Sequence, residues 1–169
     1  MTRGLRIVDG QDLEVINYGV DTGNGTAIFK NGGVVANDTG GVDGMSAASD
    51  DYAGIAQTIY NSGGVEVDTL AASTAGSVDV ATNPYLNLLV EADGEVTETD
   101  RNNLADLASY GGSTSTGESS ARISSTTGTG CAQFRILDKL DTPGNAWGDT
   151  DIKLVVQAAE HYKLYKTGV

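Results

Sequence analysis

Apolar residues in this chain recur at every second position, in short runs that glycine interrupts. In "VEVDTLAA" (65–72), Val65, Val67 and Thr69 share one side and Glu66 and Asp68 the other. In "YLNLLVEA" (85–92), Leu86, Leu88 and Val90 alternate with Tyr85, Asn87 and Glu91. "CAQFRILDKL" (131–140) turns Ala132, Phe134 and Ile136 inward and Gln133 and Arg135 outward, and "IKLVVQAAEHYKL" (152–164) repeats the pattern with Ile152, Leu154 and Val156. A period of two is the mark of a strand with one buried face. The 23 glycines against 2 prolines point to tight turns between such strands rather than to flexible linkers. This pattern predicts a mainly β protein, an antiparallel β-sandwich or β-barrel. Gly-Gly pairs start at residues 32, 40, 63 and 111 with no common spacing, so a solenoid is not expected.

The remaining stretches fill in this plan. "YAGIAQTIYN" (52–61) and "TAIFK" read as strands, and "VVANDTGGVDGMSAASDD" as a loop. Residues 1–25 read as an extended N-terminal arm or short strands, and residues 26–169 as a single β-rich domain. One short helix is expected at about 99–110: Thr99 is a candidate cap, acids crowd its start, Leu104, Leu107 and Ala108 fall on one stripe, and Gly111 supplies the stop. "STSTGESSARISSTTGTG" reads as a hydroxyl-rich hairpin, and "DTPGNAWGD" has turn chemistry at almost every position.

Charge narrows the partners. The net charge is −13, which disfavours nucleic acid and anionic membranes. Residues 31–100 hold no Lys or Arg and twelve of the acids, whereas Arg3, Arg6 and Lys30 stand in the first thirty residues. The stretch after Cys131 is balanced, with five basic residues against five acids. This asymmetry reads first as a solvated acidic surface that aids solubility; the alternative is an acidic side that faces solvent and more basic termini that face a partner. No run approaches the about 18 apolar residues of a membrane span, and "MTRGLRIVDG" lacks the apolar region of a secretory signal. With one cysteine, no internal disulfide is possible.

Catalytic constellations are missing from the sequence. One histidine, His161, precludes H-E-x-x-H metal chemistry within one chain. No G-x-S-x-G elbow occurs; the nearest stretch, "GMSAA" (44–48), lacks the second glycine. Phosphate-loop motifs are absent too. Cys131 with His161 is formally a thiol pair, but both fall on expected strands. "DTPGNAWGDTD" does not match an EF-hand, and the acid run Glu91, Asp93, Glu95, Glu98 and Asp100 reads as a turn leading into a helix rather than as a calcium site or a glycosidase carboxylate pair. No enzyme, cofactor or metal is expected. Trp147, alone in a glycine-rich loop, reads as packed over the core edge or as an interface anchor, and outward-facing Arg135 as a second anchor.

The last forty residues carry a resemblance. "AQFRILDKLDTPGNAWGDTDIKLVVQAAEHYK" resembles the C-terminal signature of small tailed-phage structural proteins encoded beside the major capsid protein: a strand, then Asp141, Pro143, Asn145 and Gly148, then a second strand ending near His161. "NPYLNLLVEADGEVTETD", the hydroxyl-rich stretch and "YAGIAQTIYN" are similar to further parts of such proteins, so the likeness covers residues 52–163. The resemblance implies a head decoration, or cement, protein of tailed bacteriophages. Such a protein is made in the host cytoplasm, sits on the outer capsid surface of the virion and bridges major capsid protein subunits without an active site. It implies a homo-oligomer, a trimer rather than a dimer. On this reading Arg3, Leu5, Arg6, Ile7, Arg135 and Trp147 form the capsid interface, and residues 1–12 are a docking arm whose removal leaves the domain folded. The alternative is a receptor- or glycan-binding β domain of a tail or fibre, with "GGVDGMSAASDD" and "GGSTSTGESS" as its binding loops.

Overall fold

The computed structural model describes residues 4–8, 11–47, 50–128 and 133–159. In chain order its strands are β1 (Arg6–Ile7), β2 (Val15–Val20), β3 (Ile28–Phe29), β4 (Gly33–Ala36), β5 (Val42–Gly44), β6 (Tyr52–Asn61), β7 (Glu66–Val67), β8 (Thr69–Leu70), β9 (Gly76–Ala81), β10 (Asn87–Glu91), β11 (Leu104–Ser109), β12 (Arg122–Thr127), β13 (Phe134–Lys139) and β14 (Lys153–Ala158). The protein is mainly β, and every pairing between these strands is antiparallel. One sheet runs β1-β10-β14-β13-β11-β12; a second runs β2-β9-β6-β4-β5, with β7 added to β6; β3 and β8 form a short ribbon.

Two apolar clusters hold the sheets together. The larger is built from the inward residues of the first sheet, such as Leu88, Val90, Phe134, Ile136, Leu154 and Val156, and from Tyr52 and Ile55 of β6. The smaller gathers Val34, Val42, Ala53, Ala56, Ile59, Val78 and Val80 inside the curl of the second sheet. β6 therefore has both faces buried at its start, which is why its sequence is nearly all apolar there instead of alternating. Tyr52 and Phe134 meet edge to face with ring centroids 5.1 Å apart, joining β6 to the first sheet.

The first sheet curls until β12 reaches the end of β10. Asp93 N–H donates to Ile123 O at 2.9 Å, Ser125 N–H donates to the Asp93 carboxylate at 2.7 Å, and Arg122 donates to Glu91. Glu91, expected to face outward, is only 4% exposed because this seam closes over it. Gln133, also expected outward, is fully buried: its Oε1 accepts from Leu107 N–H and its Nε2 donates to Ala47 O and Asp50 O. A long amide that satisfies three backbone groups of other segments is stable inside the fold.

The helix expected at 99–110 does not form. Glu98–Asp100 is a single 3-10 turn, and Leu104–Ser109 is strand β11, hydrogen-bonded to β12 and β13. The acids do build a start: the Asp100 carboxylate accepts from Thr97 N–H and Thr97 O–H, two residues before the expected cap. Asn102 then takes φ +70°, which ends the turn. In β11 the buried residues are Ala105 and Leu107, spaced by two, while Ala108 is exposed. Six residues with two strand neighbours gain more from the ladder than from one helical stripe.

Within residues 1–25, the expectation stood between an arm and short strands; the described part contains β1 in one sheet and β2 in the other. Leu5, just before β1, is 0% exposed in the larger cluster. Removing residues 1–12 would thus take a leucine out of the core, at a cost of about 2–5 kcal/mol, so the truncated domain is expected to be less stable than the full chain.

Candidate docking groove

β1 is the outer strand of the first sheet, paired only with β10 in the register Arg6–Leu89 and Ile7–Leu88. Leu88 and Val90 are buried, so Leu89 and its partner Arg6 stand on the other face. Ile7 turns its side chain toward the larger cluster. Val8 N–H donates to Asn87 O at 3.0 Å, and the antiparallel ladder alternates, so the N–H and C=O of Ile7 point away from β10. One rung earlier the outward N–H of Leu5 is taken by Asn31 O at 2.9 Å. Gln11 holds the end of the strand: its amide donates to Val8 O and Asn87 O and accepts from Asn87 N–H.

Beside this edge lies an open groove of about 620 Å³ lined by Arg6, Ile7, Leu13, Asn31, Leu89 and Leu140 among others, in which Arg6 is the only charged residue among the described ones. Leu13 is 52% exposed, and Tyr85 at 68% lies close by, where Asn83 Nδ2 donates to Asp12 O. The groove thus combines apolar side chains, one cation and an open backbone edge on a chain of net charge −13.

Of the residues expected at an interface, Arg6 and Ile7 line the groove and Leu5 lies beneath it in the core. Arg3 lies outside the described residues. Arg135 and Trp147 belong to another region, the turn after Glu98–Asp100: Arg135 donates to Asn102 O at 2.9 Å, and Arg101 stacks its guanidinium 5.5 Å from the Trp147 ring centre. Trp147 is half-buried against the edge of the larger cluster. Leu13, Leu89 and Leu140 were not singled out from the sequence. The signal for Leu89 was present, since it places a leucine on the polar side of the alternating "YLNLLVEA".

The aspartates of "DKLDTPGNAWGDTD" divide between the loop and its neighbours. Asp138 accepts from Arg101 at 3.0 Å, Asp149 accepts from Ala146 N–H at 2.7 Å, Asp151 pairs with Arg122 at 3.2 Å, and Asp141 lies 3.5 Å from Lys139 Nζ. Asn145 is the staple: its Nδ2 donates to Leu140 O and Lys153 O, and its Oδ1 accepts from Lys153 N–H. A second hollow of about 350 Å³ lies between this loop and the Glu91–Arg122 pair. Among the described residues, no three His, Cys, Asp or Glu side chains are placed to hold a metal ion. The Cys131–His161 pair lies outside the described residues.

Asp100 and Tyr110 are among the groups whose acidities are shifted. The Asp100 carboxyl is held below its usual value, first by the Thr127 hydroxyl, against burial as the next largest and opposing effect, and then by Thr97 and Asn103. The Tyr110 phenol is pushed up to about 12, first by burial and then by Asp106 and Asp50. Comparison with protein-family models, with curated proteins and with solved structures finds no match to this chain.

Proposed function

We propose that this chain is a virion structural protein that binds the outer capsid surface of a tailed bacteriophage and braces the shell by bridging major capsid protein subunits. The observation that carries the reading is the open β1 edge beside a groove of mixed apolar and polar side chains, with Arg6 its single cation among the described residues, on a chain that is otherwise strongly acidic. A surface of this kind suits docking on another protein, because it offers apolar area and backbone hydrogen bonds together. The sequence resemblance over residues 52–163 supplies the partner class. Bracing would come from many weak, symmetry-related contacts on one shell rather than from one tight site. The homo-oligomer, a trimer, belongs to the same proposal.

The test is co-sedimentation of the full chain with phage shells that lack it. Saturable binding at a symmetry-related copy number is the expected result. Failure to bind, with the protein found in tails or outside virions, would replace the capsid reading with the receptor- or glycan-binding one.

A further inference from the structure

The groove has a direction as well as a surface. Its floor and sides supply Leu13, Leu89 and Leu140, its one charge is Arg6, and the N–H and C=O of Ile7 point away from β10 with no backbone hydrogen-bond partner among the described residues. The preceding outward rung, Leu5 N–H, is already taken by Asn31 O, so among the described residues the rung at Leu5 is closed and the rung at Ile7 is open. An edge that is closed by its own chain at one rung and open at the next can accept a short extended segment from outside.

We propose that the groove takes an extended segment of the partner as an added strand on β1, with apolar side chains of that segment against Leu13, Leu89 and Leu140 and a carboxylate over Arg6. This rests on the docking reading above and adds the chemistry of the docked segment. Charge complementarity favours a segment that carries a carboxylate: among the described residues lining the groove Arg6 is the only charged one, so an acid laid over it finds a counter-charge. The backbone of Ile7 provides affinity that does not depend on the side chains of the incoming strand, whereas Arg6 and the leucines provide selection.

The experiment uses the full chain and two capped synthetic peptides of the same apolar residues, alternating either with glutamate or with lysine, followed by amide NMR. The expected result is a shift and slowed exchange of the Ile7 amide with the glutamate peptide, and binding at least about tenfold weaker for the lysine peptide. Arg6→Glu should reverse the preference. Ile7→Pro removes the outward N–H, together with the isoleucine packing against the larger cluster, and should abolish binding. Leu13→Asp, outside any strand, should weaken it at least about tenfold while leaving the spectrum of the folded protein intact, and it decides the matter should the proline variant unfold. Equal binding of both peptides, an unmoved Ile7 amide, or unchanged binding by Leu13→Asp would overturn the inference. Peptide binding as expected by a protein that ignores capsid shells would leave the groove assignment standing and remove the capsid as its occupant.

Discussion

Asn145 shows how much of the 140–153 loop depends on one side chain. Its amide meets two carbonyls and one N–H, and the residue is 9% exposed. Asn145→Ala leaves those groups without partners, and the expected loss is about 2 kcal/mol by urea denaturation. Asn145→Asp should cost more, because a carboxylate would face two carbonyl oxygens. Tyr110 presents the opposite case: its hydroxyl is buried with no hydrogen-bond partner among the described residues. Tyr110→Phe should therefore be neutral or stabilising by up to about 1 kcal/mol. The same substitution tests the pH dependence. An unfolded phenol releases its proton near 10.0 and the folded one only near 12, so stability is lost as pH rises from 10 to 12, and the phenylalanine variant should lose less of it there. Asp100 has the reverse sign. Its folded pKa lies below the ordinary 3.8, so its contribution is present above that value and is lost as pH falls below it. In acid unfolding, Asp100→Asn should be less stable than the parent at neutral pH, with the difference shrinking below pH 3.8. The turn-forming role of the loop aspartates was legible in the sequence, since Asp and Asn beside Pro-Gly bond to nearby backbone. That Asp138 and Asp151 would reach Arg101 and Arg122 was not, because those partners lie 37 and 29 residues away.

At the scale of elements, β6 carries the strongest constraint. Gly54 has φ +155°, and a Cβ added there would sit 2.3 Å from Ala81 O, inside the paired strand β9. Gly54→Ala is expected to cost at least about 2 kcal/mol by urea denaturation. Gly144→Ala, with φ +77° but open space around it, should cost only about 1 kcal/mol. β6 itself was readable from its run of apolar residues, and β10, β13 and β14 from their alternation. β11 was not. Leu104, Leu107 and Ala108 fit a helical stripe as well as Ala105 and Leu107 fit a strand, and only the pairing with β12 and β13 resolves the two. The "VEVDTLAA" run was half readable: it forms β7 and β8 with a break at Asp68, and Val65 is exposed at its start.

For the whole molecule, β6 belongs to both apolar clusters, so the two sheets should melt together. Calorimetry is expected to show one transition whose van't Hoff and calorimetric enthalpies agree; two separate transitions would mean that the clusters are independent. The alternating runs and the glycine-rich turns were enough to determine a mainly antiparallel β fold, because period-two burial is a local property that any sheet face imposes. The excess of acids determined the overall electrostatic character in the same direct way. What only the tertiary structure decided is which faces stay open. Glu91 and Gln133 look like surface residues in sequence and are buried by segments far along the chain, while Leu89, on the outward side of its run, lines a groove that other segments complete. Burial depends on the second surface that packs against a strand, and that surface is set by sheet order and curl, which no short stretch of sequence contains.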